Sequence, residues 1–146
     1  MNEFEIVTVV DRPVADVFAA LADLGKAPQW NPGVTEVRQT SPGPLGVGST
    51  VVYVGSFLGR GYESPSEYIE WVADKRIVSK TTSGPFDLEV AIDVDSVEAG
   101  TRVSATYRGE SRGFFKLAEP IVLRLTKRHF ETANENLKTL LEADAL

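Results

Sequence analysis

The sequence predicts an α+β fold: a curved antiparallel sheet of about seven strands wrapped around a long C-terminal helix, with two short helices after the first strand. Three observations predict it. Six strand-like segments follow one another between residues 34 and 110, bounded by Gly, Pro, Ser or Glu-Ala-Gly turns. No Gly or Pro occurs from residue 121 to about Ala143, and Leu123, Phe130, Ala133, Leu137, Leu140 and Leu141 recur there at helical period. Helices and strands are segregated rather than alternating, which separates α+β from α/β.

Taken in order, residues 3–10 are rich in β-branched and aromatic types, with Phe4, Ile6, Thr8 and Val10 on one face. Asp11-Arg12-Pro13 then marks a helix start, with Pro13 in the first turn, and Val14, Val17, Phe18 and Leu21 give residues 13–22 an apolar stripe. Gly25 and Pro28 interrupt it, and a second short helix or turn ends near Trp30-Asn31-Pro32-Gly33. Strands are expected at 34–40, 49–57, 61–73, 76–82, 86–96 and 102–110. The Pro/Gly cluster at 41–48 is a loop, since only about forty residues precede it, too few for a separate domain. In the clearest strand, Phe86, Leu88, Val90, Ile92 and Val94 alternate with Asp87, Glu89, Ala91, Asp93 and Asp95, so one face is buried and one is wet. The final helix, about 25 residues and so about 37 Å long, must cross a domain whose diameter is about 40 Å.

Composition narrows the chemistry. The 146 residues are 42% hydrophobic and 25% charged, the make-up of one ordinary globular domain. The absence of cysteine excludes disulfides, thiolate catalysis and Cys-based metal sites, and a single histidine, His129, excludes a polyhistidine zinc site. No metal or cofactor is expected. A net charge of −6 with scattered Lys and Arg argues against nucleic acid. The acidic first residues and the lack of a long apolar run predict no signal peptide and no membrane span, leaving the cytoplasm as the default.

Four stretches carry a family resemblance: Val10-Asp11-Arg12-Pro13-Val14-Ala15-Asp16-Val17-Phe18, then Asp23-Leu24-Gly25 leading to Pro28-Gln29-Trp30-Asn31-Pro32, then Gly46-Val47-Gly48-Ser49, and Glu98-Ala99-Gly100-Thr101-Arg102-Val103. With the terminal helix, they resemble the START-like, helix-grip (SRPBCC) superfamily, in particular its bacterial polyketide cyclase/dehydrase and lipid-transport group. The resemblance spans essentially the whole chain. It implies a helix-grip fold with a cavity between sheet and helix. It does not specify an activity, because one fold hosts many functions.

Against that background, aromatic residues become candidates for the cavity wall: Trp30, Tyr53, Phe57, Tyr62, Tyr68, Phe86, Tyr107 and Phe114, with Leu88 on the buried face of its strand. Tyr62, Ser64, Ser66 and Tyr68 share one face, too polar for a dry core. Alternation alone fits solvent or a wet cavity, and the resemblance favours the cavity. On strand 49–57 both parities look buriable, and Gly55, Gly59 and Gly61 invite a bulge. Phe114, Phe115 and Leu117 form either a hydrophobic lip at the cavity mouth or a staple for the helix start. On the helix, Leu117, Ile121, Leu125 and His129, spaced by four, are read as its cavity-facing edge, with Leu123, Phe130 and Leu137 as dry core. The neighbours Lys127 and Arg128 instead suggest a solvated turn, so His129 is not assigned as a base.

The leading functional reading is a binding module for a hydrophobic or amphipathic small molecule or lipid. The rival is a polyketide cyclase or dehydratase, with Tyr62, Tyr68, Tyr107, Arg108 and Glu110 as candidate polar groups; the parity of Arg108 and Glu110 places them outside. A protein-interaction adaptor is the third.

Overall fold

Alternation over Asn2–Val10 builds β1, whose even-numbered side chains turn inward. The computed structural model describes residues 2–146, the side chain of Phe114 excepted. Helix α1 covers Val14–Ala22, and a single 3₁₀ turn, Leu24–Lys26, leads to the short α2, Ala27–Trp30. Pro13 stands one position earlier than expected. It is the N-cap, with extended ψ, and its carbonyl accepts from the Asp16 and Val17 amides. The strands follow as β2 (Val34–Gln39), β3 (Thr50–Phe57), β4 (Arg60–Val72), β5 (Arg76–Thr81), β6 (Phe86–Val97) and β7 (Gly100–Ser111). A four-residue helix α3 (Phe114–Leu117) precedes α4, Glu119–Glu142.

The seven strands form one antiparallel sheet in the order β1-β7-β6-β5-β4-β3-β2, so β1 and β2 lie at opposite edges. The sheet is open, and α4 lies across its concave side. The 24-residue α4 is the long helix expected, one residue from the predicted stop. None of the described helices is long and apolar enough to cross a membrane.

Two bulges aim side chains. Between Tyr68 and Glu70 the β4–β5 register shifts, so that Tyr68 and Trp71 share the inner face although they lie an odd number of positions apart. Trp71 then packs edge-on against Phe18 of α1 at 5.9 Å and Tyr68 at 5.1 Å. The β2–β3 register shifts between Val34 and Glu36, whereas β3 pairs with β4 without interruption.

The dry core gathers at one end. Val10, Val17, Phe18, Val51, Val94 and Val103 meet Leu137 and Leu141 from the second half of α4. Polar contacts tie that end together. The Lys138 ammonium donates to the Val9 carbonyl at 2.6 Å, Arg12 donates to the Glu142 carbonyl at 2.6 Å, and the Asp11 amide donates to the Glu142 carboxylate at 2.9 Å. On the outer face of the sheet, the carboxylates of β6 are neutralised by arginines, as in Arg76–Asp93 at 2.7 Å and Arg112–Asp87 at 3.3 Å. Arg108 lies on this face too, 3.1 Å from Glu3, as its parity predicted.

Candidate functional site

Beyond the core, the first half of α4 stands off from the sheet and leaves a cavity of about 200 Å³. Strands β3 to β7, α2 and α4 build its wall. The uncertain parity of β3 resolves with Tyr53 and Phe57 inward. A close backbone approach fixes it: the Ser56 amide donates to the Gly33 carbonyl at 2.9 Å. A Cβ at Gly55 would collide with that same carbonyl, and Gly33 itself sits at φ 80°, so both positions require glycine.

One side of the cavity is lined with hydroxyls. The serine-tyrosine face of β4 turns inward, not to solvent, and its neighbours extend it: Tyr53 lies opposite Ser64, Ser66 opposite Thr81, and Tyr68 opposite Ser79. Ser64 and Ser66 are 7% and 5% exposed. Neither they nor Ser79 makes a side-chain hydrogen bond with any described residue, while the Tyr53 and Tyr68 hydroxyls approach to 3.4 Å. Burial pushes the Tyr53, Tyr62 and Tyr68 phenols up from their ordinary pKa, and Tyr107 up to about 12, so all four stay protonated at neutral pH.

The adjoining flank of the sheet is apolar. Phe86, Leu88, Val90 and Ile92 of β6 continue into a stack in which the Tyr107 and Phe130 rings lie 3.9 Å apart and Phe4 lies 5.2 Å from Tyr107. Asn134 donates to the Tyr107 hydroxyl at 3.1 Å, leaving that phenol free to donate. At one end of the wall Phe57 and Phe86 pack together and are backed by Phe115, with Phe86 and Phe115 stacked at 4.9 Å.

Trp30, Tyr53, Phe57, Tyr62, Tyr68, Phe86, Leu88 and Tyr107 thus lie on the wall. Leu117, Ile121 and Leu125 do not. Leu117 is 88% and Ile121 57% exposed, and Leu125, half-buried, is absent from the lining. Leu117 belongs to α3 and not to α4, and along α4 each four-residue step overshoots a full turn by about 40°, so a row spaced by four spirals off the face. The wall is instead made by Leu123, Thr126, Phe130 and Asn134, spaced by three and four. Leu123 and Phe130, expected in the dry core, therefore face the cavity, and Leu137 alone of that trio belongs to the core. Phe114, expected at a lip, has its side chain outside the described residues. Phe115 is buried beneath the sheet end, closer to a staple than to a lip, and Leu117 takes no part in either.

His129 is on the wall as well, not in a solvated turn. Its Nε2 lies 3.0 Å from the Asn31 side-chain oxygen, its ring stands edge-on to Phe57 and Phe130, and burial lowers its pKa. Glu110 touches the rim with its side chain exposed, 3.9 Å from Lys116. Asn31, Ser79, Thr126 and Asn134 escaped the sequence reading. Asn134, a polar residue inside the stripe Phe130-Ala133-Leu137, carried a usable signal. No group of residues able to hold a metal ion occurs among the described residues.

Comparison with known proteins agrees with this geometry. A family profile described as polyketide cyclase / dehydrase and lipid transport matches residues 1–142. Among solved structures, the protein TTHA0849 from Thermus thermophilus superposes with a TM-score of 0.84 at 19% identity, covering 99% of this chain and 100% of that one. The Zhui aromatase/cyclase from Streptomyces sp. R1128 gives 0.80 at 15% identity, over 94% and 92% of the two chains. A START superfamily protein from Mycobacterium smegmatis gives 0.76 at 14%, over 95% and 98%. Identities this low show a shared fold alone. No curated protein matches the sequence.

Proposed function

The chain belongs to the polyketide cyclase/dehydrase and lipid-transport family, and on that premise we propose that it binds a hydrophobic or amphipathic small molecule between sheet and α4. The observation that supports this reading is the cavity of about 200 Å³ on the concave face. An apolar cavity of about 150 Å³ already admits benzene. Burial against β6 and the Phe4-Tyr107-Phe130 stack would supply affinity at about 25 cal/mol per Å². The hydroxyls of β3, β4 and β5 would orient the polar edge of the ligand.

The test is native mass spectrometry of the purified chain, combined with titration by the neutral fluorophore N-phenyl-1-naphthylamine. A co-purified small-molecule mass, or saturable one-to-one fluorescence enhancement lost in Val90→Phe, is expected. Absence of both refutes the reading.

One observation favours catalysis as a second reading: a half-buried histidine on the wall with its Nε2 against Asn31. With the proton on Nε2, the neutral imidazole offers Nδ1 as a base near neutral pH. Exchange of the C2 proton of 1-(2-naphthyl)butane-1,3-dione in heavy water would be accelerated by the native chain and not by His129→Gln. Equal rates would remove this reading.

A further inference from the structure

Resting on the binding reading above, we infer that the ligand is uncharged, carries hydrogen-bonding oxygens along one edge and presents a planar apolar face along the other. The first argument is charge. No Lys or Arg lines the cavity among the described residues, and the single carboxylate, Glu110, stands at the rim with its side chain in solvent. A carboxylate or phosphate inside would have no countercharge. A cation would equally lack a countercharge, because the wall phenols are held protonated and the lining carboxylate, Glu110, stands at the rim. Burying an unpaired charge is among the most costly events in a protein.

The second argument is the segregation of polar and apolar groups. Ser64, Ser66 and Ser79 are aligned across neighbouring strands, face the cavity, and have no side-chain hydrogen bond with a described residue. Hydroxyls both donate and accept, so they suit alcohol, phenol and ketone oxygens alike. Beside them on the same sheet surface, with Val90 paired to Ser79, the β6 residues Leu88, Val90 and Ile92 offer no polar side-chain atom, and beyond them the near-parallel Tyr107 and Phe130 rings offer an aromatic surface. A hydrocarbon would leave the serines unmatched, and a molecule oxygenated on all sides would press oxygens against β6. The complementary class is a neutral ring system oxygenated on one edge. Free fatty acids and phosphorylated lipids are outside it.

The experiment compares 2-naphthol, naphthalene and 2-naphthoate near neutral pH, by displacement of N-phenyl-1-naphthylamine and by calorimetry. We expect 2-naphthol to bind at least about tenfold tighter than 2-naphthoate, and severalfold tighter than naphthalene. In the Ser64→Ala/Ser66→Ala double variant, 2-naphthol should weaken by about fivefold per hydroxyl it engages, while naphthalene is unaffected. Because those hydroxyls lack protein partners, the variant should melt at or above the native temperature, so that folding and recognition are read separately. Equal or tighter binding of 2-naphthoate, or an unchanged 2-naphthol-to-naphthalene ratio in the double variant, overturns the inference. So does failure of all three probes when the fluorophore binds. Failure of the fluorophore itself overturns the binding reading instead.

Discussion

The two halves of α4 should respond differently to the same truncation. Leu137 is 1% exposed and packed in the dry core. Leu137→Ala removes three buried carbons and leaves a hole that rigid neighbours fill only in part, a cost of about 3–4 kcal/mol. Leu123 is half-buried and faces the cavity. Its truncation only enlarges existing space, so the cavity part of the cost vanishes, and about 1 kcal/mol of lost burial remains. Alanine at either position gains slightly in helix propensity, which cancels in the comparison. For a domain of this size 1 kcal/mol moves the melting temperature by about 3 °C. Leu137→Ala should therefore melt about 10 °C below the native chain and Leu123→Ala about 3 °C below it. Thermal unfolding by circular dichroism, with urea titration to confirm an unchanged slope, measures both. Equal losses would mean that the first half of α4 rests on filled core, and the cavity would fall with that result.

Other consequences concern pH, backbone and packing. His129 has a folded-state pKa below its ordinary 6.5, so it binds protons more readily unfolded, and stability should fall as pH drops below that value. The slope, at most about 1.4 kcal/mol per pH unit, should disappear in His129→Gln. Loss from Glu142, whose pKa is also lowered, begins only below its ordinary 4.5, and separates the two in urea titrations across pH. Gly55→Ala should cost about 2–3 kcal/mol by driving β3 from the Gly33 carbonyl, visible as a depressed urea midpoint. Phe115→Leu removes the buried ring stacked on Phe86 and should cost about 1–2 kcal/mol, read as a lower urea midpoint.

How legible the molecule was in its sequence depended on whether neighbouring residues carried contrast. On β6, charged and aliphatic residues alternate, and its inner face could be read directly. On β3 either face was apolar enough to bury, and orientation came from the contact of Ser56 with Gly33, which local pattern does not encode. The polar face of β4 was visible as an anomaly, but whether it met solvent or a cavity depended on β5 and α4 closing over it. The displaced parity at Trp71 follows from a bulge with no Gly or Pro to announce it. A regular four-residue spacing attracted attention to Leu117, Ile121 and Leu125, whereas Leu117 ends the separate helix α3 and burial along α4 follows the 3.6-residue pitch. His129 could not be placed, since the charged neighbours Lys127 and Arg128 say only that adjacent directions are wet.

The ties between β1 and the end of α4 carry a kinetic consequence. Lys138 to Val9, Arg12 to Glu142 and Asp11 to Glu142 each join residues about 130 positions apart, and β1 completes its pairing only with β7. During synthesis, β1 and α1 emerge with neither partner available. They must wait as an unpaired edge until the ribosome has released nearly the whole domain. Ordering so distant a loop closure early is entropically unfavourable. Folding should therefore be a late, slow event, with the hairpins of β3 to β7 assembling first around local turns. The waiting β1, apolar on alternate residues, is the segment that a chaperone would have most reason to shield.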